Sequence, residues 1–273
     1  MFGIIANMEI KDNYDYIEII KNILSKFNQE CIVADVYQDI FGNYFYKLDK
    51  VDYIIVLGGD GTVLQAVQNA IQLKAPIIAF NTGTLGFLAE HNIGEFENVF
   101  GKIIKKEFNL EKRNLIEVFK DNKLLDICLN DVVISRDGFS RIVSVEASVN
   151  DNFISNYYGD GVIISTATGS TGYNLSLNGP ILTPNCNNII VTPIANHSLF
   201  SRSIIVSNDD IVKMKILHSR KTQEKEAILT CDGRRNIDLH SGDELTIKTS
   251  NNYVEFIEIG NKNFFDICKQ KLI

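Results

Sequence analysis

The chain has 273 residues, of which 45% are hydrophobic and 22% charged, with 34 acidic against 27 basic residues for a net charge of −7. A prior of roughly 150 residues per domain suggests two domains with a proper core, and the lack of any Lys/Arg cluster sets aside DNA or RNA as the main partner. Five scattered cysteines with no CxxC pair argue against a disulfide frame or a zinc site. No run nears the roughly 20 apolar residues of a membrane span, and MFGIIANMEI lacks a signal peptide's flanks, so a cytoplasmic protein with no membrane partner is expected.

Phe2 to Ala6 predicts a short buried strand. Tyr14 to Phe27, with Ile17, Ile20, Ile23 and Phe27 at helical spacing, predicts an amphipathic helix. CIVADVY, VDYIIVL and APIIAF predict three more strands. Between the last two, Val63, Val67, Ala70 and Ile71 share one face of a helix. Wholly apolar strands alternating with helices indicate a parallel sheet covered on both faces. Gly94 to Phe108 predicts one further helix, and near residue 108 the texture changes to β. RNLIEVFKDNKLLDICLNDVVIS predicts two strands around Asp121-Asn122, and RIVSVEASVNDNFISNYYGDG two around Asn150-Asp151-Asn152. NNIIVTPI, SIIVS, IVKMKILHS, EAILTCDG, DELTIKTS and YVEFIEI predict later strands, with a short helical piece in GSTGYNLSLNG. NFFDICKQKLI predicts a closing helix that returns to the first domain.

The chemistry concentrates in four places. In VDYIIVLGGDGTVLQAVQNA, Gly58-Gly59-Asp60-Gly61-Thr62 joins a strand to a helix, where free backbone N–H groups and the helix dipole suit an anion. The spacing fits neither GxxxxGK[ST] nor GxGxxG. Asp60 would repel a phosphate there unless it holds a metal or takes a proton; the plain alternative is an N-cap. FNTGTLGFLAE places Asn81, Thr82, Gly83 and Gly86 at the next strand end, either as a tight turn or as the second wall of the crevice where open α/β sheets bind ligands. YYGDGVIISTATGSTGYNLSLNGP carries Thr166, Thr168, Ser170 and Thr171, which can donate to ribose or phosphate, and Tyr173, a ring for a base; a bulge and a capped helix would be the plain alternative. Asn130-Asp131, mid-way along CLNDVVIS, is a costly buried pair unless it has partners. His91, His197, His218 and His240 form no catalytic constellation and are expected to be structural or exposed.

Together these segments resemble the NAD kinase family, of the bacterial ATP- or polyphosphate-using kind. GGDGT, NTGxLGFL, ND, GDGxxxSTxTGSTGYxxSxxGP, TPIANHSL and CDG (Cys231–Gly233) follow in the family's order over about Phe2 to Gly260. The resemblance implies transfer of a phosphate from ATP or polyphosphate to the 2′-hydroxyl of the adenosine ribose of NAD, with Mg²⁺ or another divalent cation and no dedicated protein metal ligands. It implies a Rossmann-like α/β domain (1–108 with 261–273), a β-sandwich domain (109–260), and a nucleotide site between them. Asp60 would be the proton acceptor, with Gly58, Gly59, Gly61, Thr62 and Asn81 around the donor phosphates. Asn130 and Asp131 would hold adenosine and ribose. Thr168, Thr171, Gly172, Tyr173, Asn174, Leu175 and Ser176 would line the NAD site, with Ala195 below it. Asp160 would serve a site shared between subunits, which implies a homodimer or homotetramer.

Two departures from the family pattern are visible. Tyr158, also placed at the NAD site, stands where many relatives carry a basic residue, and Thr84 stands where His or Asn is common. Arg141 is the candidate replacement cation. GGDGT alone is shared with lipid kinases, which would need an apolar pocket where this chain is hydroxyl-rich. A non-catalytic nucleotide sensor is the rival from another class, and it would gain nothing from Asp60 among phosphates.

Overall fold

The computed structural model describes residues 1–38, 44–83, 85–138, 142–198, 200–217, 227–260 and 263–272. By its contacts the chain divides into two compact units, Met1–Arg113 with Tyr253–Ile273, and Asn114–Asn252.

In the first unit, Cys31–Val33, Phe2–Ala6, Tyr53–Leu57 and Ile77–Asn81 lie side by side in that order, every pair parallel. Phe2–Ala6 and Ile77–Asn81 are buried at every position, which is why they carry no polar alternation. Helices Asp12–Lys26 and Phe96–Ile104 turn Ile17, Ile20, Leu24, Phe96 and Phe100 into one core with Phe2, Ile4 and Phe80. Helix Asp60–Leu73 buries Val63, Ala66, Val67 and Ala70 and ends on Lys74 in the left-handed region. The closing helix Phe264–Leu272 belongs to this unit, and the Phe264 ring lies 6.4 Å from that of Phe87.

Two expected elements divide. CIVADVY breaks at Ala34: Cys31–Val33 joins the parallel sheet, while Asp35–Gln38, exposed throughout, pairs antiparallel with Tyr44–Lys47. The expected helix from Gly94 starts as a 3₁₀ turn, Ile93–Glu95, closed by a capping box between Asn92 and Glu95, before Phe96–Ile104 follows.

The second unit is a sandwich of antiparallel sheets. One contains Asn152–Gly159, Val143–Val149 and Val212–Ile216, then the long strand Glu244–Glu258, with Asn109–Lys120 and Lys123–Cys128 beyond it. The other runs Ile204–Ser207, Asn188–Ile194, Gly161–Ser165, Asp131–Arg136, Ala227–Cys231, Arg234–Leu239. Inward residues of both, among them Val118, Val145 and Met214 from the first and Val132, Ile164 and Leu229 from the second, form one core, as two stacked sheets require.

DELTIKTS and YVEFIEI are one strand of 15 residues, not two. CLNDVVIS is the reverse case. One strand ends at Cys128, the chain bends at Leu129-Asn130, and Asp131 opens a strand of the other sheet. The limits of the two units fall inside Asn109–Lys120 and Glu244–Glu258, where the strands continue without a break.

Candidate active site

In the first unit the two glycine-rich loops are tied together by Asp60. Gly59 is the N-cap of the helix, with no side-chain cap bond, and Asp60 is the first helical residue. Its carboxylate accepts from the amides of the second loop instead: Phe87 N to Oδ2 at 2.8 Å, Leu88 N and Ala89 N to Oδ1 at 3.0 and 3.2 Å. The capping alternative is therefore incorrect, because the side chain leaves its own helix. A carboxylate has about four acceptor positions, and these amides take three, which leaves one on Oδ2.

Two glycines are required by close approach. A Cβ at Gly86 would overlap Asp60 Oδ1, and one at Gly58, whose φ is +153°, would overlap Thr62 Oγ1. Beside them Asn81 is buried and accepts from Gly83 N at 2.5 Å. Thr82 Oγ1 is buried with no hydrogen-bond partner. Gly59 and Gly61 have open space where a side chain would be. Thr84 lies outside the described residues.

In the second unit the bend at Leu129-Asn130 meets the hydroxyl-rich stretch. Thr166 Oγ1 donates to Leu129 O at 2.6 Å and accepts from Gly169 N at 3.0 Å, while Thr166 N donates to Asn130 O at 2.9 Å. The 3₁₀ turn Thr168–Thr171 and the short helix Tyr173–Ser176 follow. Gly172 brings the backbone close enough that a Cβ there would stand 3.4 Å from Asn130 Nδ2 and 3.8 Å from Asp131 Oδ2. Asn130, Asp131, Thr168, Thr171 and Gly172 thus form one cluster, in which Asn130 Oδ1 is buried and unpartnered.

Tyr173 is exposed and Ser176 faces solvent beside a half-buried Leu175. Asn174 is different: wholly buried, it donates to Ser170 O and Pro180 O and accepts from Thr192 Oγ1. It braces the loop from within.

Asp160, Tyr158 and Ala195 form a separate group. Asp160 precedes Gly161–Ser165 and Thr166 follows it, so within one chain these two residues stand about 20 Å apart at roughly 3.3 Å per residue. Asp160 pairs with Arg136 Nε at 2.9 Å. Tyr158 is exposed, and its backbone holds the Ala195–His197 loop, with Ala195 at φ 45°. Arg141, the candidate replacement cation, lies outside the described residues.

Burial, then the charge of Asp232, pushes the Asp131 carboxyl from 3.8 up to about 7. Between those values the folded chain keeps a proton that the unfolded chain has released, so Asp131's contribution to stability falls as pH rises through that window. Asp131→Asn cannot ionise and should gain Tm relative to wild type between pH 5 and pH 8. A difference that stays constant across that range would show that Asp131 is hydrated.

Asp232, which the sequence placed only within the CDG motif, accepts from the amides of Leu129, Asn130 and Asp131. It is the second half of a signal that was legible: Asp-Gly between apolar runs predicts a hairpin, and Arg234–Leu239 is the strand that was not expected. The amides of Phe87, Leu88 and Ala89 had no signal, since backbone donors carry no residue identity.

An α/β unit with two glycine-rich loops at its strand ends, joined to an antiparallel sandwich, is the build of a nucleotide phosphotransferase. The chain matches the ATP-NAD kinase N-terminal domain over residues 43–108 and the ATP-NAD kinase C-terminal domain over 129–259. It is 42% identical over 283 residues to an NAD kinase of Lachnoclostridium phytofermentans, covering 99% of this chain and 98% of that one. An NAD kinase of Thermoanaerobacter sp. is 43% identical over 227 residues, 82% of this chain and 79% of its own. The fold is similar to yeast NADH kinase complexed with NADH, with a TM-score of 0.86 at 21% identity over 99% and 86% of the two chains. It is also similar to an NAD kinase from Archaeoglobus fulgidus in complex with ATP, with a TM-score of 0.79 at 24% identity over 100% and 98%. The chain belongs to the NAD kinase family.

Proposed function

We propose that this chain transfers the terminal phosphate of ATP, or a phosphate of polyphosphate, to the 2′-hydroxyl of the adenosine ribose of NAD, giving NADP. The observation that carries this is 42% identity to an NAD kinase along nearly the whole of both chains. Phosphoryl transfer depends mainly on positioning and charge stabilisation. Asp60 takes the ribose proton at its remaining acceptor position, while the amides of Gly59 and Gly61, with Gly58, Thr62 and Asn81 beside them, hold donor phosphates; the Gly58 and Thr62 amides already donate to Phe80 O and Gly59 O. A divalent cation that arrives with those phosphates keeps several of its waters. Among the described residues no group of three or more His, Cys, Asp or Glu is arranged to hold a metal alone, so the donor phosphates and water would hold it, and the one open acceptor position of Asp60 is kept for the hydroxyl. Bound there, Mg²⁺ would neutralise charge on the phosphates.

Asn130 and Asp131 contact adenosine and ribose, with Thr168, Thr171, Gly172, Leu175 and Ser176 around them and Asn174 fixing the loop. Tyr173, exposed on its short helix, stacks on a base, an interaction of about 1–3 kcal/mol. Tyr173→Ala should therefore raise KM for NAD by roughly ten- to a hundred-fold, and an unchanged KM would remove the ring from the site. Asp160, Tyr158 and Ala195, set apart from that cluster within one chain, complete the site of a neighbouring subunit in a homodimer or homotetramer. Sedimentation under assay conditions should show an oligomer, and a fully active monomer would end that assignment. We place the enzyme in the cytoplasm on its five free, scattered cysteines, as a reducing compartment would leave them.

The deciding assay supplies purified protein with Mg²⁺, NAD and either ATP or polyphosphate, and reads NADP with an NADP-specific dehydrogenase. NADP formation with either donor is expected. Its absence with both would favour a non-catalytic sensor.

A further inference from the structure

The Cys231-Asp232-Gly233 turn is given no role in the proposed reaction, yet its carboxylate is held by three backbone amides. Asp232 and Gly233 are the two residues between paired Cys231 and Arg234, and both have positive φ, 49° and 69°. A type I′ hairpin turn requires that, and it favours Asn-Gly and Asp-Gly alike. Turn chemistry alone would leave the side chain in solvent. Here the Asp232 side chain is 0% exposed. It accepts from three consecutive amides of the facing bend: Leu129 N at 2.8 Å, Asn130 N at 2.7 Å and Asp131 N at 3.0 Å. Asp232 N in turn donates to Asp131 O at 2.9 Å, and Arg234 Nη2 lies 3.4 Å from Asp232 Oδ2.

The opposite side of the bend is held as firmly. Leu129 O accepts from Thr166 Oγ1, and Asn130 O accepts from Thr166 N and, at 3.3 Å, from Ser165 Oγ. The backbone from Leu129 to Asp131 is gripped from both sides, while Asn130 Oδ1 is left buried and unpartnered. A gripped backbone with an unspent side-chain acceptor is a device for aiming that acceptor at something outside the fold.

We propose that Asp232 is a positioning residue for NAD binding, its buried carboxylate fixing the Leu129–Asp131 backbone so that Asn130 and Asp131 present their side chains to the nucleoside. This rests on the reading of Asn130 and Asp131 as nucleoside contacts. Asp232 touches no substrate itself. It also supplies the one charge that acts on Asp131; Arg234 lies beyond it, and the facing segment Thr168–Gly172 carries no ionisable group.

Steady-state kinetics of the full chain, with NAD and ATP varied separately, test this in Asp232→Asn, Thr166→Val, Thr166→Ser and Asn130→Ala. An amide in place of the carboxylate must turn an NH₂ toward at least one of the three N–H groups, so KM for NAD should rise about ten-fold or more. KM for ATP should stay within about two-fold, as no donor contact is disturbed. The pH profile of kcat/KM for NAD should move to lower pH, because Asp131 loses the neighbouring charge that raises it. Thr166→Val, which frees Leu129 O, should raise KM for NAD in the same selective way. Thr166→Ser should behave as wild type.

If Asp232→Asn does not fold, the Thr166 pair decides alone. Asn130→Ala separates the two levels: a wild-type KM for NAD there overturns the site reading itself. A raised KM in Asn130→Ala, with wild-type values in both Asp232→Asn and Thr166→Val, overturns the positioning role. So would a loss of Tm with both KM values rising together.

Discussion

Asp60→Asn is expected to lower kcat by about 10²–10⁴-fold, the usual contribution of one positioned proton acceptor. Three amides from the neighbouring loop converge on this carboxylate. Asn keeps one carbonyl oxygen, which can still accept from Leu88 and Ala89, but its NH₂ would face Phe87 N. The variant therefore loses both the proton acceptor and one strut of the loop. Binding separates these effects: calorimetry should show NAD affinity near wild type, because Asn130, Asp131 and Tyr173 are untouched. If the carboxylate served only as a metal ligand, raising Mg²⁺ would restore part of the rate. Turnover at even a tenth of wild type would leave Asp60 as an orienting residue at most.

Gly86→Ala should be nearly as damaging although it adds one methyl group. The new Cβ would overlap Asp60 Oδ1 and stand 2.7 Å from Cγ, a distance at which something must shift. The carboxylate cannot swing aside freely, since its three donors belong to the same loop as Gly86. A displacement on the order of 1 Å can cost about 10²-fold in rate, and that is the expected fall in kcat, with KM for NAD close to wild type. Gly101→Ala, in a helix with open space at the same position, is the control and should be silent. Wild-type kcat in Gly86→Ala would mean that Asp60 works from a different rotamer.

The sequence by itself determined the class of each half and the places where chemistry could occur. Wholly apolar strands such as Phe2–Ala6 and Ile77–Asn81 announce a covered parallel sheet, and glycines at strand ends announce loops close to a ligand, because both signals are local. It did not show that Asp35–Gln38 leaves the sheet, that Glu244–Glu258 is one strand, or that Cys128 and Asp131 belong to opposite sheets. Those outcomes depend on which partner offers a free edge, and edge partners are distant in sequence. The partners of Asp60 and Asp232 were decided in the same way. In sequence each is an Asp-Gly beside a turn, with capping or hairpin formation as its local use. Only the tertiary structure brings up the three amides that each one accepts, from residues 27–29 positions away for Asp60 and 101–103 positions away for Asp232. A backbone N–H is the same at every non-proline residue, so no side-chain pattern could have named those donors in advance.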